Sequence, residues 1–180
     1  MRIAICGGIC SGKTTLANEL SKQYGLQIHS FANYVKHYAT EIFGMEYKDR
    51  KLIQTFAEKM KDIDSDVWIN MLDKKLSSTN YDNIVIDDLR FQNEYDYLRK
   101  NDFLIIRLNL ENIEQLKRIK ELYKEKWLEH TTRLNHVSEI GRTVFKVDIE
   151  LDGTKSCEEL VDCIKSKIFN KNKNGCQFVS

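Results

Sequence analysis

The sequence lacks the features that would direct a chain to a membrane or to nucleic acid. No run of about 18 apolar residues occurs, and no apolar signal-peptide core follows the first residues. The 28 basic and 27 acidic side chains nearly cancel, so the chain has no overall field that would attract a polyanion or an anionic bilayer. These absences predict a soluble, cytoplasmic protein whose main partner is neither nucleic acid nor a membrane.

Disulfide and zinc-site patterns are also missing. The five cysteines contain no C-x-x-C pair, and the four histidines do not cluster. This argues against a structural metal site and indicates free thiols in a reducing compartment. At 180 residues the chain is long enough to bury a core in a single domain without staples.

What the sequence does contain is a glycine-rich loop between a short apolar strand and a helix. Residues 7–14 read GGICSGKT and match G-x-x-x-x-G-K-[ST] at every fixed position. Such a loop aims backbone N–H groups at phosphate, its lysine reaches the β- and γ-phosphates, and its hydroxyl ligates Mg²⁺. We therefore predict a nucleoside triphosphate site, with Lys13 catalytic and Thr14 a metal ligand. The predicted nucleotide-binding residues are Gly7, Gly8, Ile9, Cys10, Ser11, Gly12, Lys13, Thr14 and Thr15.

A second apolar run ends in two carboxylates. Residues 83–88 read NIVIDD, a pattern typical of a buried parallel strand whose C-terminal end opens at a site. A carboxylate beside a phosphate-binding loop completes the Mg²⁺ shell through water, and Asp88 is the preferred candidate with Asp87 as the alternative. Arg90 leaves the same strand end, where its guanidinium is placed to clamp a phosphate bidentately.

The helical segment from about residue 31 to 78 carries candidates for binding a second anion. At 100° per residue, Arg50, Gln54 and Lys61 share one polar, net positive row of a helix. Lys36 lies off the apolar stripe of the preceding helix. Together these side chains favour a small-molecule kinase, which needs an acceptor site facing the γ-phosphate.

Strands alternate with helices five times, which predicts a three-layer α/β fold with a five-stranded parallel sheet between helices. A helical insertion, about 111–142, precedes the last strand, 145–151, where a P-loop kinase carries its mobile lid. One domain is expected over 1–169, with a flexible tail at 170–180. The candidate lid arginines are Arg118, Arg133 and Arg142.

Several short motifs accompany the loop in a fixed order. They are FANYVK (31–36), RKLIQ (50–54), DVW (66–68), DLRFQNE (88–94) and HVSE (136–139). Together they resemble the deoxynucleoside monophosphate kinases of phages and large DNA viruses. The resemblance implies an NMP-kinase-like fold, ATP and Mg²⁺, and transfer of the γ-phosphoryl group to a dNMP in deoxynucleotide biosynthesis.

The resemblance and the residue patterns together define the candidate site. Trp68 has two interpretations, a core side chain and a platform that stacks on a base. The candidate catalytic residues are Lys13, Asp88 and Arg90. The candidate acceptor-binding residues are Phe31, Lys36, Arg50, Gln54, Trp68 and Arg90. On the ATP side, the loop is joined by Arg118 and Arg133.

Two other functions stay open at this point. One is a kinase for another phosphorylated small molecule, such as phosphomevalonate or dephospho-coenzyme A, and the other is a non-catalytic ATP-binding module. A GTPase is disfavoured because neither N-K-x-D nor D-x-x-G occurs. Both a monomer and a homodimer are compatible with the sequence.

Overall fold

A computed structural model describes residues 1–45, 47, 49–78, 82–131 and 145–173 of the chain. In this part of the chain, strands alternate with α-helices. The strands are β1 (Arg2–Gly7), β2 (Gln27–His29), β3 (Ile84–Ile86), β4 (Leu104–Asn109) and β5 (Ile149–Asp152). The helices are α1 (Lys13–Tyr24), α2 (Phe31–Phe43), α3 (Arg50–Ile63), α4 (Val67–Ser78), α5 (Gln92–Lys100), α6 (Asn112–Tyr123), α7 (Trp127–Thr131) and α8 (Cys157–Lys173), with a 3-10 turn, Lys124–Lys126, between α6 and α7.

The five strands form one parallel sheet in the order β2-β3-β1-β4-β5. The central strand, β1, pairs with β3 and β4, and Ala4 lies opposite both Ile86 and Ile105. Because all strands run the same way, the loop after β1 and the residues after β3 emerge at the same edge of the sheet.

Helices cover both faces of the sheet. One face packs against α1 and α8 through apolar side chains such as Leu16, Leu20 and Ile164. The other packs against α2, α4 and α5, with Leu72 and Leu98 fully buried. Burial on both faces explains why β1 and β3 read as continuous apolar runs. The arrangement confirms the predicted three-layer α/β fold with a five-stranded parallel sheet.

The last strand and the insertion differ in detail from the prediction. The strand expected from residue 145 begins at Ile149, because the Phe145 ring stacks on Tyr95 of α5, with ring centroids 4.9 Å apart. Helix α6 ends at Tyr123, where Lys124 takes a φ of 46° that an α-helix does not accommodate.

Part of the insertion and of the tail lies outside the described residues. Arg133, Arg142 and the HVSE motif fall in 132–144. Helix α8 continues to Lys173, into the segment expected to be a flexible tail, and 174–180 also falls outside. Among the helices that are described, we find none with the length and apolar character needed to cross a membrane.

Candidate active site

The glycine-rich loop owes its shape to positions where a side chain does not fit. A Cβ on Gly7 would lie 2.7 Å from the Leu108 carbonyl oxygen and 2.8 Å from the Ser11 Oγ atom. Gly12, directly before α1, has a φ of 96°, which L side chains rarely adopt. The strand therefore turns sharply into the N-terminus of α1, where the backbone N–H groups of the first turn and the helix dipole favour an anion.

Lys13 lies over this loop. Its Nζ atom donates hydrogen bonds to the carbonyl oxygens of Gly7, at 2.9 Å, and Gly8, at 2.7 Å. The ammonium group is thus held at the mouth of the loop, where the sequence predicted that it would meet phosphate.

A groove of about 600 Å³ runs from the loop to α6. Such a volume falls within the usual range for small-molecule sites, roughly 300–1,000 Å³. Arg118 on α6 donates to the Cys10 carbonyl oxygen at 3.5 Å and to Glu114 at 3.0 Å. The lining residues are Cys10, Ser11, Gly12, Lys13, Thr14, Thr15, Arg118, Glu121, Leu122 and Tyr123. The structure therefore places Arg118 at the predicted nucleotide site.

The two carboxylates after β3 have different partners. The Thr14 hydroxyl donates to the Asp87 Oδ2 atom at 2.8 Å. Asp88 instead accepts hydrogen bonds from the Ser30 hydroxyl at 2.7 Å and from the N–H groups of Phe31, at 3.0 Å, and Ala32, at 2.8 Å. These contacts favour the alternative, Asp87: Asp88 caps the start of α2, while Asp87 lies beside the hydroxyl predicted to bind metal.

The environment of Asp87 suits a cation. Burial, reinforced by the neighbouring Asp88 charge, raises the pKa of Asp87, and the hydrogen bond from Thr14 acts in the opposite direction. A carboxylate and a hydroxyl are hard oxygen donors of the kind that Mg²⁺ prefers, and a bound cation would favour the ionised form of Asp87. The donor set therefore fits a magnesium ion.

Arg90 and Lys61 form a positive pair, and Arg90 follows Asp88 by two residues in the chain. Arg90 is exposed, and the Glu94 carboxylate accepts hydrogen bonds from the backbone N–H groups of Arg90 and Phe91 rather than from the guanidinium. Within the described residues, the guanidinium has no ion-pair partner. The Lys61 Nζ atom lies 3.4 Å from the centroid of the Phe91 ring. Burial lowers the pKa of Lys61, and Glu94 partly opposes that shift.

Two predicted acceptor residues are corrected by their burial. Phe31 is 3% exposed and Trp68 is 4% exposed, so neither ring is available to a ligand. The Trp68 ring lies 5.7 Å from that of Phe56, and its Nε1 atom donates to the Ala57 carbonyl at 3.4 Å. Of the two interpretations of Trp68, the core side chain is the one observed.

The remaining candidates for binding the acceptor are Gln54, Lys36 and Arg50. Gln54 is exposed on α3 and donates to Glu58 at 3.1 Å, and Lys36 donates to Asn33 at 3.4 Å, so both bind within their own helices. Arg50 is the first residue of α3, and its side chain lies outside the described part of the structure.

One polar residue at the site was not anticipated. Gln115 on α6 is 3% exposed, and its Nε2 atom donates to the Ile9 carbonyl at 2.8 Å. The only signal in the sequence is a glutamine in the first turn of the helix that also bears Arg118.

The parallel sheet, the loop after β1 and the paired carboxylates after β3 define a P-loop kinase-like fold. This fold implies a nucleoside triphosphate site, which typically works with Mg²⁺. The AAA_18 family model, described as an AAA domain, matches residues 3–137. The chain therefore belongs to the AAA_18 family.

Solved structures share the whole fold at low sequence identity. Shikimate kinase from Aquifex aeolicus is 19% identical, with a TM-score of 0.58, over 97% of this chain and 99% of that one. Deoxyadenosine kinase from M. mycoides, with dCMP and dCDP bound as products, is 20% identical, with a TM-score of 0.54, over 94% and 100%. A gluconokinase from Sinorhizobium meliloti is 13% identical, with a TM-score of 0.56, over 96% and 94%. No curated protein sequence gives a significant match.

Proposed function

We propose that this protein is a deoxynucleoside monophosphate kinase, which transfers the γ-phosphoryl group of ATP to the phosphate of a dNMP and yields dNDP and ADP. One observation carries the proposal: Arg90 and Lys61 place two cationic groups at the sheet edge that also holds Asp87 and the phosphate-binding loop. A phosphate-bearing acceptor would therefore be held opposite the triphosphate.

The roles of the residues follow from charge and position. Lys13 and the N–H groups of the loop would hold the β- and γ-phosphates, and Arg118 would close the groove on the ATP side. Thr14 and Asp87 would hold Mg²⁺, directly or through water. When bound, the metal would neutralise charge on the phosphoryl group during transfer.

The acidic groups favour a phosphate rather than a hydroxyl as the acceptor. A hydroxyl acceptor needs a base, but Asp88 and Glu94 are occupied by backbone N–H groups, and Asp87 faces Thr14. A phosphate oxygen is already ionised and needs no base, so positioning and charge neutralisation can supply the catalysis. This distinguishes the proposed acceptor from shikimate, gluconate and nucleosides.

The preference for a deoxynucleotide rests on the sequence motifs. Their resemblance to the viral kinases supports a dNMP as substrate. The mycoplasma enzyme holds dCMP and dCDP as products, so it supports only that a scaffold of this fold accommodates a deoxynucleotide. The same cationic pair would also accept other phosphate monoesters, such as phosphomevalonate or dephospho-coenzyme A.

A coupled ADP-release assay tests the proposal. ATP and Mg²⁺ are held constant, and the four dNMPs are compared with the matching NMPs, deoxynucleosides, phosphomevalonate and dephospho-coenzyme A. We expect turnover that depends on at least one dNMP and is absent in Lys13→Ala. Faster turnover with phosphomevalonate or dephospho-coenzyme A would reassign the substrate, and ATP binding without turnover on any acceptor would indicate a binding module.

A further inference from the structure

Helix α6 contacts two successive carbonyl groups of the phosphate-binding loop. Gln115 donates to the Ile9 carbonyl at 2.8 Å, and Arg118, one turn later on the same side of the helix, donates to the Cys10 carbonyl at 3.5 Å. Gln115 is almost fully buried, so its amide is committed to this contact. The loop is thus held from outside by a helix that lies 106 residues away in sequence.

The contact at Ile9 fixes the orientation of a neighbouring donor. A trans peptide unit is planar, so the C=O of one residue and the N–H of the next point in opposite directions. No cis peptide bond is found among the described residues. The Ile9 carbonyl faces α6, and the N–H of Cys10 must therefore point away from α6.

The conformation of Cys10 indicates that this orientation needs support. Its φ is 59°, in the left-handed region that residues other than glycine seldom occupy. Such a conformation persists when surrounding contacts determine it. The two donors on α6 are such contacts, because they bind the carbonyls on either side of the Cys10 Cα atom.

We propose that Gln115 is a positioning residue for phosphate binding: its side-chain amide holds the Ile9–Cys10 peptide so that the Cys10 N–H donates to the β-phosphate of the bound nucleotide. The inference rests on the proposed function in one respect, that ATP and ADP are ligands of the loop. It adds a link between α6, the first helix of the predicted insertion, and the geometry of the loop.

The test observes the Cys10 amide directly. Protein labelled with ¹⁵N-cysteine carries five labelled backbone amides, one for each cysteine. Loss of one signal in Cys10→Ser assigns that of Cys10. We expect ADP with Mg²⁺ to shift the Cys10 signal in the wild-type protein. In Gln115→Leu, which keeps the bulk but removes the donor, we expect that shift to be lost and the Kd for ADP to rise about tenfold, the scale of one hydrogen bond to a charged group.

Two further variants separate positioning from simple packing. Ile119→Val removes a methylene from the buried side of α6 without changing a polar group, and should bind ADP with the wild-type Kd and the wild-type Cys10 shift. Gln115→Glu, which sets a carboxylate against the Ile9 carbonyl, should reproduce the loss if Gln115→Leu does not fold.

The outcomes distinguish this inference from the proposed function. An unchanged Cys10 shift in both Gln115 variants, with or without weaker ADP binding, overturns the positioning role. Equal losses in Ile119→Val and Gln115→Leu overturn it as well, because packing alone would then account for the effect. A wild-type protein that does not respond to ADP overturns the proposed function and this inference together.

Discussion

The Asp88 carboxylate accepts the backbone N–H of Phe31 at 3.0 Å, and so joins the end of β3 to the start of α2. Ser30 and Ala32 donate to the other carboxylate oxygen. Asp88 thereby ties the backbone shortly before Arg90 to the start of α2. Asp88 is therefore engaged in capping α2, while the Asp87 carboxylate lies beside the Thr14 hydroxyl.

Asp88→Asn is expected to destabilise the protein. The NH₂ group would replace one carboxylate oxygen and face either the Phe31 N–H or the donors of Ser30 and Ala32, so the free energy of unfolding should fall by roughly 1–3 kcal/mol. Urea unfolding measures this loss. Asp96→Asn is the matched control on the exposed side of α5, where Asp96 accepts one hydrogen bond from Gln92, and it should change stability by less than about 0.5 kcal/mol. Equal stability of the two variants would contradict the capping role.

Asp87→Asn is expected to weaken metal use. Loss of the carboxylate beside Thr14 should raise the Mg²⁺ concentration for half-maximal rate by about 10- to 100-fold, the usual effect of removing a group that supports a metal shell. Magnesium titrations at saturating ATP measure it. Asp88→Asn should leave that concentration nearly unchanged, and a larger effect there would return the metal role to Asp88.

Arg90→Ala is expected to impair use of the acceptor. The acceptor dianion would lose a bidentate partner, so kcat/KM for the acceptor should fall about 30- to 1,000-fold. This fall corresponds to a loss of roughly 2–4 kcal/mol of transition-state stabilisation. Arg90→Lys should raise the acceptor KM more than the KM for ATP, because lysine keeps the charge and loses the fork. Steady-state kinetics with each substrate varied in turn separate these effects. The melting temperature should stay near the wild-type value, since Glu94 binds the backbone of Arg90 and not its side chain.

Lys61→Gln tests the second member of the cationic pair. Removing its charge should raise the acceptor KM by about 3- to 10-fold with little change in the KM for ATP, because the ammonium lies over Phe91 beside Arg90. Lys59→Gln, on the same helix, is the control: Lys59 is exposed and paired with Asp62 at 3.0 Å. If both variants behave alike, the effect belongs to the general charge of α3.

The buried Glu94 should make stability depend on pH. Burial, with the nearby Asp88 charge, raises its pKa from 4.5 to about 7. Between these values the folded protein binds more protons than the unfolded chain, so stability falls as pH rises through this window and levels off above pH 7. The loss should be on the order of 3 kcal/mol.

Glu94→Gln isolates this contribution. Both backbone donors bind a single oxygen of Glu94, which the glutamine Oε1 atom can replace. Urea unfolding of both proteins at pH 5, 6, 7 and 8 should show a smaller decline in the variant. Parallel curves would assign the decline to other groups.

The loop, the sheet and the general position of the site could be predicted because local patterns determine them. The choice between Asp87 and Asp88 could not, because successive side chains after a strand point to opposite sides. Which side faces the phosphate-binding loop is decided by packing. The position of Arg90 after β3 follows from the chain order alone, but its proximity to Lys61 depends on how α3 packs against the segment around Phe91.

In helix α6, the periodicity of apolar residues does not predict which side chains are buried. Ile113, an apolar residue, is 83% exposed, while Gln115 is 3% exposed. Burial of Gln115 is favourable because its amide finds the Ile9 carbonyl, a partner far away in sequence that no local pattern reveals. The burial of Phe31 and Trp68 could not be predicted for a related reason, since an aromatic side chain in the core and one at a ligand site look alike in sequence.

The two hydrogen bonds of Lys13 to its own loop also bear on the entropy of binding. The long side chain is held across the carbonyl oxygens of Gly7 and Gly8 by contacts within the protein itself. When a phosphate binds, the Lys13 ammonium group exchanges carbonyl oxygens for phosphate oxygens. Few freely rotating bonds of the side chain then have to be ordered. Much of the ordering of this lysine, which can cost about 0.5–1.5 kcal/mol for a rotamer-rich side chain, is thus completed during folding.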